Sequence, residues 1–310
     1  MMRNEIGETT LASINKRLGD HWRNLSMAEA NRVTILARTY TEADPDALAR
    51  MARVPAEAVK LILGEIGTRI GHLAEQAMQS VRQHFLQAVS QVRSGKPKAK
   101  YDQLFATERT VIERVQKMLD CGDVVGKKII LLGDDDLLSV ALSLTGLAKS
   151  ICVLDIDTDL VKALNKHGSA CKVPFEAFEY DVRKGVPQGF MSSADVAFTD
   201  PPYTPDGQRI FFSRALDMLK TEDGSVIYLC QSPADLSPMD LMLVHGAIQE
   251  RNFLIDALWK SFNTYQEAKR SRGETVIKNF TSDLLRLVYV RNPRAYTKPR
   301  PSKLFEYRYR

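Results

Sequence analysis

The run Leu131-Leu132-Gly133-Asp134-Asp135-Asp136 constrains this chain more than any other feature. An apolar stretch, 127–132, leads into it, and a helical-looking stretch, 137–147, leaves it. That is a strand–turn–helix, the setting in which α/β folds hold a nucleotide-like ligand. Such a turn is ordinarily rich in glycine. Here three carboxylates occupy it, so it favours a ligand end that carries positive charge.

The rest of the chain fits that setting. Strand-like runs fall at 128–132, 151–155, 194–199, 225–230, 254–260 and 284–290, and a further strand precedes Tyr180. Helical stretches at 137–147, 159–166, 207–219 and 235–249 separate most of them. The alternation predicts an α/β fold: a doubly wound, mostly parallel seven-stranded sheet with an antiparallel finish. Residues 1–92 read instead as a smaller helical domain. Ala47 to Val59 has helix-turn-helix form, with Leu48, Met51 and Ala52 facing inward, Val54-Pro55 turning, and Val59, Leu61 and Ile62 on the next helix. A separate amphipathic helix is expected over 73–92. Ser94-Gly95-Lys96-Pro97-Lys98 breaks it, making 93–100 a linker, 101–290 the catalytic domain and 291–310 a tail. That tail is basic: seven Lys and Arg side chains stand against the single acid Glu306.

Composition sets limits. With 44% hydrophobic and 26% charged residues in 310, the chain is ordinary globular material. No apolar run approaches the roughly 20 residues that span a bilayer, and no signal peptide is visible, so a cytoplasmic protein with no membrane partner is expected. Cys121, Cys152, Cys171 and Cys230 lack metal-ligand spacing, and His21, His72, His84, His167 and His245 do too, so no metal is expected. The net charge of +5 is a mild hint of an anionic partner.

Three further positions carry chemistry. Asp155 ends the second strand 22 positions after Gly133, the place for an acid that takes ribose hydroxyls; Asp157 suits the start of the next helix. Asp181, after the third strand, is placed to meet an adenine amino group. Asp200-Pro201-Pro202-Tyr203 follows 194–199, with two prolines fixing the backbone. Asp200 can accept hydrogen bonds from an amine, and Tyr203 can stack on or wall off the acceptor. An amine must lose a proton to attack a sulfonium carbon, so a carboxylate there has a task. Phe211-Phe212 reads as the core face of a helix, with one ring free to line the acceptor site.

From Tyr101 to about Lys220 the chain resembles the branched-chain polyamine synthases, the N4-bis(aminopropyl)spermidine synthase family. The residues that carry this are Tyr101-Asp102-Gln103 with Thr107, Gly126-Lys127-Lys128, Gly133-Asp134-Asp135-Asp136, Leu144 with Gly146-Leu147, Val153-Leu154-Asp155-Ile156-Asp157, and Asp200-Pro201-Pro202. The resemblance implies a class I methyltransferase-like fold behind an N-terminal winged-helix-like domain. It also implies transfer of aminopropyl groups from decarboxylated S-adenosylmethionine to the internal amine of spermidine. On it, Asp134, Asp135, Asp200 and Tyr203 are the catalytic candidates. Gly133, Asp136, Asp155, Asp157, Asp181, Tyr101 and Asp102 are the donor-binding ones. In that family an acid commonly follows Asp-Pro-Pro; here it is Tyr203.

Two other functions stay open on the residues alone. One is an S-adenosylmethionine-dependent amino-methyltransferase acting on nucleic acid, with Tyr203 stacking on a flipped base and the tail on phosphates. The other is a DNA-binding regulator that senses a polyamine or nucleoside. A homodimer is compatible with each.

Overall fold

The computed structural model describes residues 8–18, 45–52, 54–93, 97–101, 103–222, 224–271 and 274–290, with 25, 29–30, 33–34, 36–37 and 95 between them. Asp102 and the basic tail, 291–310, lie outside the described residues.

Seven strands form one sheet: β1 (Lys128–Leu132), β2 (Ser150–Asp155), β3 (Phe175–Glu179), β4 (Val196–Thr199), β5 (Val226–Gln231), β6 (Phe253–Ser271) and β7 (Glu274–Tyr289). Their order is β3-β2-β1-β4-β5-β7-β6. The first five run parallel, and β7 is antiparallel to both its neighbours. β1, β4 and β5 are buried almost throughout, which is why they read as unbroken apolar runs. Alternate residues feed opposite faces. Ile129, Leu131 and Val153 join one core, and Ile130, Leu132 and Leu154 the other.

Helices cover both faces. Chain order runs outward from β1 to β3, then returns to β4 beside β1. The cleft between β1 and β4 is therefore the switch point where such sheets take ligands. Local signals set the helix starts nearby. Thr107 caps α4 (Glu108–Asp120), and Asp157 caps α6 (Thr158–Gly168). Thr204 caps α7 (Pro205–Met218), with Pro205 at its first position. α5 (Leu138–Thr145) follows the acidic turn, and α8 (Pro238–Glu250) opens on a Ser237/Asp240 capping box.

Before residue 99 every regular element among the described residues is helical, and no strand among those residues corresponds to the expected wing. α1 (Glu8–Leu18) and α2 (Pro45–Ala52) pack with the start of α3 (Ala56–Val92) in a separate core containing Ile14, Leu48, Ala58 and Ile62. The helix-turn-helix and the expected helix over 73–92 prove continuous: α3 runs unbroken for 37 residues. Gly64, Gly67 and Gly71 weaken it locally without a proline to stop it. Its second half, from Ala74 to Val92, joins the core of the sheet.

The expected antiparallel finish forms and is longer than its apolar runs. Strands expected at 254–260 and 284–290 extend into a long ribbon, with register shifts between Ile255 and Ala257 and between Trp259 and Asn263. Residues 263–271, mostly polar, pair because β7 runs beside them, not because of their own pattern. Past the register shift near Trp259 the ribbon meets the segment that leads into α4. There Tyr265 bridges Ala106, and Thr107 N donates to Thr264 O at 2.8 Å.

Candidate active site

A cavity of about 220 Å³ opens at the carboxyl ends of β1, β2 and β4. Of the residues singled out in the sequence, Tyr101, Gly133, Asp135, Asp155, Asp200 and Tyr203 line it. Gly133 adopts φ +78°, a conformation that strains any other residue, and it leaves open space on its Cβ side. Its N–H donates to Leu154 O at 2.9 Å, tying the turn to β2.

The three aspartates of the turn have different surroundings. Asp134 is buried and caps α5: its carboxylate accepts Ser139 N at 3.1 Å and the Ser139 hydroxyl. Burial pushes its carboxyl up to about 8. It does not line the cavity, which corrects its expected role as an amine-holding group. Asp136 is buried as well. It accepts Ala106 N at 2.5 Å and Arg114 Nη1 at 2.7 Å, so it fixes the turn to α4 instead of meeting a donor. Asp135 alone faces the cavity, and its side chain has no hydrogen bond or ion pair among the described residues. Burial, and then the charges of Asp136, Asp200, Asp155 and Asp134, push its carboxyl well above the usual range. The turn closes on Leu137, itself left-handed at φ 65° and buried.

Asp155 is 6% exposed; it accepts Asp134 N at 2.9 Å and Asp157 N at 2.8 Å. Those amides hold it at the end of β2 with its edge on the cavity. Asp157 caps α6, accepting Asp159 N at 3.1 Å, and Lys98 Nζ and Gln103 Nε2 reach it at 2.6 and 3.3 Å. It lines a second, smaller cleft of about 40 Å³ beside Asp135, not the main cavity. Asp181 is also corrected. Arg183 holds its carboxylate at 2.7 Å and lowers it to about 2, while its neighbours Tyr180 and Val182 line the cavity instead.

Three side-chain donors hold the Asp200 carboxylate. Oδ2 accepts Arg114 Nη2 at 2.7 Å and the Tyr265 hydroxyl at 2.6 Å, and Oδ1 accepts the Tyr203 hydroxyl at 2.9 Å. The two phenols are 2.7 Å apart, and burial followed by the Asp200 charge raises both well above their usual range. Behind the turn, Gly207 packs so close that a Cβ there would lie 2.6 Å from Pro202 O. Phe211 lines the cavity while Phe212 is buried in the core.

Sequence reasoning missed Arg114 and Tyr265. Arg114 is fully buried; besides both aspartates it donates to Asn263 Oδ1 at 2.8 Å and Tyr265 at 3.1 Å, and it lies over the Phe198 ring. A signal existed: residue 114 shares the buried face of α4 with Val111, Val115 and Met118, and a charge there needs a partner. The supposed linker also reaches the site, because Arg93 donates to the carbonyls of Asp135 and Asp136 at 3.3 and 3.5 Å. Among the described residues, no group of three His, Cys, Asp or Glu is placed to hold a metal ion, and no helix is long and apolar enough to cross a membrane.

Residues 82–292 match the family described as the branched-chain polyamine synthase A C-terminal domain, which is more than half of the chain. The chain belongs to the branched-chain polyamine synthase family. Among its relatives, the N(4)-bis(aminopropyl)spermidine synthase of Thermococcus kodakarensis is 41% identical over 127 residues, covering 40% of this chain and 36% of that protein. The enzyme of that name from Thermus thermophilus is 32% identical over 171 residues, 54% of this chain and 48% of the other. The matched stretch thus spans less than half the length of these relatives. In fold, the Thermus thermophilus branched-chain polyamine synthase, crystallised with N4-aminopropylspermidine and 5'-methylthioadenosine, superposes with a TM-score of 0.60 at 22% identity, over 92% of this chain and 93% of that one. A putative RNA methyltransferase from Pyrococcus horikoshii superposes at 0.52, with 21% identity, over 66% and 96%. The doubly wound, methyltransferase-like fold expected from the sequence is therefore the one observed.

Proposed function

We propose that this chain is an aminopropyltransferase that moves an aminopropyl group from decarboxylated S-adenosylmethionine to an internal amine of a linear polyamine such as spermidine. The observation that carries the reading is the unpaired Asp135 carboxylate in a cavity whose other acids, Asp155 and Asp200, are already bonded. S-adenosylmethionine bears a carboxylate on its tail, and Asp135 repels it. The decarboxylated donor ends in an ammonium, and Asp135 attracts it. The family and the fold shared with a polyamine synthase crystallised with its product support the same reading.

In this reading Asp155 takes the ribose hydroxyls, the open side of Gly133 lets the ligand approach the turn, and Tyr101 closes the cavity. The acceptor nitrogen is presented between Asp135 and the Asp200–Tyr203 edge. Its lone pair attacks the propyl carbon bonded to sulfur. The carbon–sulfur bond breaks, its electron pair stays on sulfur, and neutral methylthioadenosine leaves. The proton lost by the nitrogen passes to a carboxylate and then to water. A sulfonium is already a good leaving group, so alignment supplies much of the rate.

The test is to incubate the protein with each sulfonium compound and a panel of linear polyamines, and to weigh the products. Polyamines heavier by one or two aminopropyl groups, with the decarboxylated donor only, are expected. Methylated RNA or DNA formed from S-adenosylmethionine would establish the methyltransferase alternative, which Tyr203 after Asp-Pro-Pro favours.

A further inference from the structure

The smaller cleft beside Asp135 has apolar walls, from Val92, Phe105, Leu137 and Leu160, and carboxylates at both ends. At the inner end Asp135 borders the main cavity as well. At the outer end stand Asp157 and Asp159, and the Asp159 side chain is 69% exposed, so the cleft leads from the reaction site to solvent. Apolar walls between acids suit a chain of methylenes that carries a positive charge at intervals. One such chain already ends there. The Lys98 side chain is four methylenes and an ammonium, and its Nζ donates to Asp157 Oδ1 at 2.6 Å and to Asp159 Oδ2 at 2.7 Å. That bond lowers the Asp159 carboxyl below its usual range, so the acid is charged. The other cation of the cleft, Arg93, is engaged elsewhere. It donates to the carbonyls of Asp135 and Asp136 and lies 4.1 Å over the Phe105 ring.

We propose that the Asp157–Asp159 pair binds a terminal ammonium of the polyamine and that Lys98 is its resident competitor. One arm of the acceptor runs from the reacting nitrogen through the cleft, and its end displaces the Lys98 ammonium. The inference rests on the aminopropyl-transfer reading and deepens it, because it fixes where one end of the acceptor lies. The exchange costs little. One primary alkylammonium replaces another on the same two carboxylates, and an ion pair this close to solvent contributes little on its own. Lys98 also has a task before the acceptor arrives, since without it the cleft holds like charges and no cation beside Asp157 and Asp159.

A purely structural Lys98 would instead fasten its segment to the start of α6. The same segment has other ties: Lys98 N donates to Gln103 Oε1 at 2.9 Å, Tyr101 N donates to Lys98 O at 2.9 Å, and Gln103 Nε2 reaches Asp157 at 3.3 Å. The two roles predict opposite signs. A fastener holds Tyr101 and Gln103 against the main cavity, so its loss weakens every ligand. A competitor opposes only a ligand with a free ammonium at that end, so its loss strengthens that ligand alone.

The experiment is calorimetric binding of spermidine, and of spermidine acetylated at one end or the other, to the full chain. The proteins are wild type, Lys98→Met, Lys98→Gln, Lys98→Arg and the double variant Lys98→Met/Asp159→Asn, with methylthioadenosine affinity and thermal melting as checks. Lys98→Met keeps an unbranched side chain and loses the charge. It is expected to bind spermidine about 2- to 5-fold more tightly, with Lys98→Gln behaving alike and Lys98→Arg behaving as wild type. Adding Asp159→Asn to Lys98→Met is expected to weaken spermidine by about 2- to 5-fold, and with the lysine gone that loss reports the polyamine alone. Acetylating the arm that enters the cleft removes its charge, so that derivative is expected to respond to neither change. Lys98→Met or Lys98→Gln that leaves spermidine affinity unchanged or weakens it overturns the proposal. So does a change of equal size for spermidine and both acetylated forms, or for methylthioadenosine. Binding needs no turnover, so the two readings fail separately. A protein that binds spermidine in this pattern but makes no aminopropylated product refutes the function, and one that makes the product without the pattern refutes the site.

Discussion

Asp135 predicts a preference between two donors that differ only by a carboxylate. Placing the added carboxylate about 6 Å from the Asp135 oxygens, at an effective dielectric constant of about 20, gives a repulsion of about 3 kcal/mol, or roughly 10²-fold in affinity. Asp155 contributes less, because two backbone amides already stabilise its charge. The repulsion exists only while Asp135 is ionised, and burial with neighbouring acids holds its carboxyl well above the usual range. The preference for the decarboxylated donor must therefore grow as pH rises above the ordinary carboxylate range and Asp135 ionises, and binding of that donor while Asp135 is still protonated must release a proton. Isothermal titration calorimetry of both donors, without acceptor and in buffers of different ionisation enthalpy, measures affinity and proton release together. Asp135→Asn should reduce the preference to below about 10-fold and abolish its pH dependence. Equal affinity of wild type for the two donors, or a preference that Asp135→Asn leaves intact, would show that the turn does not select by charge.

Three other perturbations test separate parts of the molecule. Gly207→Ala sets a Cβ 2.6 Å from Pro202 O and 2.9 Å from the Thr204 hydroxyl, so it must displace the Asp-Pro-Pro-Tyr turn; kcat should drop by about 10- to 10²-fold with methylthioadenosine affinity nearly unchanged, read by steady-state kinetics and calorimetry. Arg286→Met leaves Asp123 and Asp256 without the fully buried guanidinium that holds them at 2.8 and 2.5 Å, so denaturant melts should show a loss of about 3–5 kcal/mol. Asp134→Asn tests linkage. The wild-type carboxyl rises to about 8 in the fold, so the folded state holds its proton where the unfolded chain releases it, and wild type loses stability as pH climbs from about 4 to about 8. The asparagine variant, which can still bond Ser139, should lack that loss; parallel melting curves for the two proteins across this range would contradict the assignment.

The parts of the fold legible in the sequence are those whose physics is local. β1, β4 and β5 are buried on both faces, so their residues must be apolar in succession, and that shows without a partner. The cap at Asp157 shows as well, because it satisfies an amide only two residues away. The β6–β7 ribbon was legible only at its apolar ends. Past Trp259 its residues are mostly polar, and its strand character comes from the pairing of Tyr265 with Phe280 and its neighbours. Tyr265 therefore stayed out of the expected site although it shares Asp200 with Tyr203.

The acidic turn marks where sequence reasoning stops. Three identical side chains in succession are equivalent to any charge argument, and the sequence supports the conclusion that the site is acidic. Their division of labour depends on groups far along the chain. Ser139, one helical turn on, takes Asp134 as a cap. Arg114 and the Ala106 amide, well upstream, take Asp136. Asp135 is left to the cavity by elimination, and Leu137 at φ 65° lets the chain turn sharply enough to keep the middle acid on the open side. An acid becomes available for chemistry here because each of its neighbours is committed to structure. That makes Arg114, which touches no cavity surface, as informative about the reaction as any residue that does.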